Sequence, residues 1–114
     1  MRVVSRGPCA PFAATLFVLV TITGELVETY CWLTHGVGGA AHAKCGIECA
    51  KRGVPVAVYD AVSRKVYVLM PGHNTKTLPP QLIEAMGKPV TVTGEMTARG
   101  GSTFLAVQQW QVKR

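Results

Sequence analysis

Apolar and polar positions alternate strictly in two segments far apart in the chain. Val20-Thr21-Ile22-Thr23-Gly24-Glu25 and Val90-Thr91-Val92-Thr93-Gly94-Glu95 share one pattern, in which β-branched apolar residues alternate with Thr and lead into Gly-Glu. Period-two alternation of β-branched residues predicts a half-buried strand. A Gly inside such a strand marks a bulge or bend, and bent strands turn the corners of small closed barrels. Between the two copies, residues 54–60 and 66–70 read as a hairpin joined by 61–65. Its expected register sets Val58 opposite Val68 and Val56 opposite Met70, with Tyr59 and Tyr67 together on the other face. A short helix follows from Pro79 or Pro80 to Met86, started by Pro and ended by Gly87. Residues 89–98 and 103–112 form the last two strands, with a turn at 99–102.

The order is strand, insert, strand, strand, short helix, strand, strand. It predicts a mainly β domain of the oligonucleotide/oligosaccharide-binding (OB) type, a five-stranded barrel whose short helix lies between strands three and four. A small SH3-like barrel is the second arrangement considered, and the helix position favours the OB fold.

The insert between the first two strands carries the chemistry. Gly36, Gly38 and Gly39 break the first strand, and from Ala40 the residues favour a helix with Lys51 and Arg52 in its last turn and Gly53 as its cap. On that helix His42, Cys45 and Cys49 stand at i, i+3 and i+7 and share a face. Cys31 is expected to end the first strand, and His35 lies in the connecting loop. Cys31, His35, His42, Cys45 and Cys49 thus offer five donors of the kind that zinc takes tetrahedrally and copper also accepts. The spacing matches no familiar zinc-finger pattern. A disulfide from Cys31 to Cys45 or Cys49 is the competing reading, closing a loop worth about 3 kcal/mol, with one thiol left over if Cys9 is removed. A redox-active cysteine is the third. His73, Trp32, Trp110 and the scattered methionines read as loop and packing residues.

The chain has 114 residues, enough for one domain. Its 48% hydrophobic and 16% charged content excludes a disordered tail. Arg2 and Arg6 precede an apolar run over 12–19, the layout of an export signal. The run is too short to span a bilayer, which needs about 20 apolar residues. It passes directly into the first predicted strand with no small-x-small cleavage site. An inefficient or uncleaved signal, a misassigned start and an apolar extension packed on the domain are all consistent with that layout. The expectation is a signal-like segment over 1–19, an OB-like domain over 20–114, and a periplasmic or otherwise extracytoplasmic location.

Net charge is +6, from 12 basic and 6 acidic residues. It becomes +4 without Arg2 and Arg6, too mild to demand a polyanionic partner. Glu25, Glu28, Glu48, Asp60, Glu84 and Glu95 are dispersed in the sequence and form no paired-carboxylate motif. No nucleophile triad or phosphate-cradling loop is evident, so an enzyme is the least supported class.

The run from Thr23 to Trp32, then His42-Ala43-Lys44-Cys45, Cys49 and Gly53-Val54-Pro55-Val56, resembles small bacterial exported OB-fold proteins with a Cys/His-rich helix after strand one. The likeness extends over about 23–107 and implies a fold and a compartment, with no catalytic residues to carry over. Three functions are therefore weighed: an extracytoplasmic module that binds zinc or copper in a structural, carrier or sensory role; a disulfide-stapled interaction module of an envelope complex; and a single-stranded nucleic-acid binder using Tyr59, Tyr67, Arg64 and Lys65. The first is favoured and the last is the weakest.

Overall fold

The computed structural model describes residues 18–72 and 77–113. Met1 to Phe17, with Cys9 and most of the signal-like segment, lie outside them, as does His73. The elements run β1 (Val18–Glu28), α1 (Thr29–His35), a 3-10 turn (Ala40–His42), α2 (Ala43–Lys51), β2 (Val56–Asp60), β3 (Lys65–Met70), α3 (Pro80–Ile83), β4 (Pro89–Arg99) and β5 (Ser102–Val112). The strands close into a barrel in the order β1-β2-β3-β5-β4. Among the described residues only β3 and β5 run parallel, as the expected OB-like topology requires. Among the described residues no helix is long and apolar enough to cross a membrane.

The two copies of the repeated motif pair with each other. Thr21 faces Thr93, Ile22 faces Val92 and Thr23 faces Thr91 across β1 and β4. Both Thr pairs share hydroxyl hydrogen bonds, at 2.8 and 3.1 Å. Val92 is fully buried and Ile22 packs against the same core, so alternation decides which side chains face inward. The repeated glycines mark close approaches. A Cβ at Gly24 would run into the Tyr59 carbonyl and one at Gly94 into the Ala106 carbonyl, and Gly94 faces a bulge in β5, where Gln108 is left without a partner in the β4–β5 register.

Leu26, Val58, Val90, Val92 and Leu105 are fully buried inside the barrel, and Leu82 of α3 is buried with them. Burying each such side chain contributes about 1.5–3 kcal/mol. Pro80 opens α3. The chain then turns through Gly87, whose φ of +80° suits glycine and whose N–H donates to the Leu26 carbonyl at 2.8 Å.

Three expectations need correction. β1 begins at Val18, so the last two residues of the signal-like segment 1–19 belong to the barrel, Val18 opposite Met96 and Leu19 opposite Glu95. The hairpin register is shifted by one: Val58 faces Tyr67, Tyr59 faces Val66 and Asp60 faces Lys65. The cause is a four-residue loop. Asp60 accepts hydrogen bonds from the Val62 N–H and the Ser63 hydroxyl, and Arg64 adopts a left-handed φ of 61°. Tyr67 therefore enters the core while Tyr59 packs against Trp32, the rings tilted by 43° with centroids 4.6 Å apart. The paired-tyrosine surface on which nucleic-acid binding rested is not formed. Finally, Cys31 does not end the first strand, which stops at Glu28; Cys31 lies inside α1.

Candidate metal centre

Glu28 ends β1 and starts α1. Its carboxylate accepts the Cys31 N–H at 2.8 Å and the Tyr30 N–H at 3.0 Å, satisfying two of the backbone donors that open a helix. Gly36 closes the other end with φ +69°. Capped at both ends, the β-prone run Thr-Tyr-Cys-Trp winds into a helix, and Cys31 turns back over its own cap.

Glycines then fold the insert onto the barrel. The Gly39 N–H donates to the Glu25 carboxylate, and a Cβ at Gly87 would come within 2.5 Å of the Gly39 carbonyl. Further on, a Cβ at Gly46 would lie 2.7 Å from Met86 Cγ and 3.7 Å from Glu28 Cγ. Only a residue without a side chain lets α2 approach the barrel end so closely. His42 is displaced from the expected helix into the preceding 3-10 turn, where it is the N-cap residue of α2.

The result is a cluster of three donors. One ligand atom each from Glu28, Cys31 and His42 lies within 4.8 Å of the others. His42 Nε2 is 3.8 Å from Glu28 Oε1, and the Glu28 side chain is fully buried. His42 Nε2 is itself buried and has no hydrogen-bond partner among the described residues. A buried polar atom without a partner carries a desolvation cost that a ligand would relieve.

Electrostatics ties the three together. Burial pushes the Glu28 pKa up, but the Cys31 thiol, the Cys31 and Tyr30 N–H groups and the His42 charge outweigh it, so the carboxyl sits below its ordinary 4.5. The same contact acts in reverse on Cys31. Its hydrogen bond to Glu28 leads, followed by desolvation and the charges of Glu28, Cys49 and Cys45, pushing the thiol from 9.0 up to about 11.

Of the five residues singled out from sequence, Cys31 and His42 thus meet, and Glu28 joins them. His35 ends α1, exposed and edge-on to the Tyr30 ring at 6.1 Å. Cys45 is exposed and Cys49 half-buried, one helical turn apart on α2 and outside the 4.8 Å group. Cys31, Cys45 and Cys49 are all free thiols. Sequence reasoning passed over Glu28 as one of six scattered acids. The available signal was an acid directly after the apolar pair Leu26-Val27, three residues before a cysteine. A carboxylate, a thiol and an imidazole at this separation can hold a metal ion.

Compared with protein-family models, with curated proteins and with solved structures, the chain finds no match in any of the three.

Proposed function

We propose that this chain is an extracytoplasmic OB-fold module that binds one divalent transition metal ion, zinc before copper, through the Glu28 carboxylate, the Cys31 thiolate and His42 Nε2. The observation that carries the reading is the buried, unpartnered His42 Nε2 beside a buried carboxylate and a thiol, all three within 4.8 Å. Charge supports a divalent ion: a carboxylate and a thiolate balance two positive charges and the imidazole adds none, whereas Cu(I) would leave a buried net negative charge, which a low-dielectric site resists. Mixed O, S and N donors also suit zinc. When bound, the metal would draw the insert and the barrel end together. It would also keep the Cys31 sulphur from oxidation in the compartment that the basic, apolar N-terminus suggests.

Elemental analysis of freshly purified protein, followed by titration of the stripped protein with zinc, tests the reading. One equivalent should bind and protect Cys31 from alkylation. Cys31→Ser and His42→Ala should each weaken binding at least about tenfold. Absence of stoichiometric metal, together with alkylation unaffected by added zinc, refutes the proposal.

A further inference from the structure

Three donors leave one position of a tetrahedral ion unfilled, and α2 places two more thiols beside them. Cys45 and Cys49 are one helical turn apart on α2, and Cys45 follows His42 by three residues. Exposure falls in sequence from Cys45 at the surface, to half-buried Cys49 and Cys31, to buried Glu28. Both outer thiols are free, and Gly46, which lies between them on α2, packs so closely on the site that an added Cβ would come 3.7 Å from Glu28 Cγ. A scaffold pinned by metal needs no such outer thiols. Thiols outside a site give an arriving ion a place to bind before it reaches the inner donors.

Resting on the metal reading above, we propose that Cys45 and Cys49 are the loading arm of the site. Through them the protein takes zinc from a thiolate-bound donor and passes it to Glu28, Cys31 and His42, so the ion is exchangeable cargo. Each step is a ligand substitution without electron transfer. A zinc–sulphur bond to the donor breaks as one to Cys45 Sγ forms, and the Cys45 proton goes to the released donor thiolate. Zinc then moves to Cys49 and on to Cys31 in the same way, while the ionised Glu28 carboxylate and the neutral His42 Nε2 displace the donor's remaining ligands, which leave into solvent and take their protons from water. Each outer thiolate is reprotonated by the thiol that displaces it, and zinc stays divalent throughout.

The test follows zinc transfer from a zinc–glutathione complex to metal-free full-length protein in a stopped-flow instrument, while competition with a chromophoric chelator gives the dissociation constant. Cys45→Ser/Cys49→Ser should load more slowly by about tenfold or more, with affinity held within about threefold of wild type and an unchanged circular-dichroism spectrum. Glu28→Gln, which alters an inner donor, should instead weaken affinity in the chelator competition. A double variant that loads at the wild-type rate overturns the loading arm. So does one whose affinity falls in step with its rate, because the outer thiols would then be permanent ligands. Wild-type protein that takes up no zinc at all fails the underlying metal reading, a separate result.

Discussion

Replacing Glu28 with Gln keeps the size of the side chain and removes its charge. In the native structure the carboxylate accepts two backbone N–H groups, at 2.8 and 3.0 Å, one on each oxygen. An amide has one oxygen, so its NH2 group would face one of those donors. Leaving a buried N–H without an acceptor costs about 1–3 kcal/mol, and losing a helix cap about 0.5–2. These describe the same lost contact, so the expected deficit of the metal-free variant is about 2 kcal/mol at neutral pH. Relief from burying a charge cannot reverse the sign. The Glu28 pKa is lowered on folding, which means the folded chain prefers the carboxylate over its neutral form.

That preference fixes the pH dependence. A lowered folded pKa stabilises the protein fully above the ordinary value of 4.5, and the stabilisation is lost as pH falls through the folded value. Wild type should therefore lose its advantage over Glu28→Gln on acidification. Urea unfolding followed by circular dichroism, with chelator present so that metal linkage does not contribute, should show a lower midpoint at unchanged slope at neutral pH. The gap should narrow as pH falls below 4.5. Coincident midpoints at neutral pH, or a gap constant into acid, would refute the assignment of Glu28 as a charged cap.

Other outcomes follow from the same contacts. Gly24→Ala and Gly94→Ala each drive a methyl into a backbone carbonyl of the neighbouring strand; each should cost about 3 kcal/mol or more, read as a lower urea midpoint or insoluble protein. Gly46→Ala gains about 1 kcal/mol of helix propensity but meets Met86, which is buried in the core, and thermal unfolding should show a net loss. Cys31 has a folded pKa raised from 9.0 to about 11, so its contribution is complete below 9.0 and lost as pH rises towards 11. Cys31→Ser should remove that alkaline decline. Because the Cys31 thiol is protonated near neutrality, zinc should release a proton on binding, measurable as a dependence of calorimetric heat on the buffer's ionisation enthalpy.

Much of the barrel was legible because its strands obey one local rule. The Val-Thr alternation with its terminal Gly predicts two bent, half-buried strands wherever they pair, and the structure pairs them with each other. The short helix between strands three and four was likewise signalled by its Pro and Gly. The hairpin register was not legible, because it depends on Asp60 folding its carboxylate over the loop and on Arg64 accepting a left-handed backbone. For the site, residue type pointed to Cys31 and His42. The helix around Cys31 did not, since Thr, Tyr, Cys and Trp favour strands and only the Glu28 carboxylate and Gly36 cap the turn. Glu28 was invisible for the same reason: sequence gives its charge but not its burial.

The pairing of β1 with β4 has a temporal consequence. Its Thr–Thr hydrogen bonds join residues 72 and 68 positions apart, whereas Glu28 and His42 are separated by only 14 residues (42 minus 28). Long-range closure is the slow part of assembling a small β protein. A chain made from its N-terminus presents the carboxylate, thiol and imidazole well before the strand that seals the cylinder has been synthesised. Sequence separation therefore predicts that the donors meet before the seam closes.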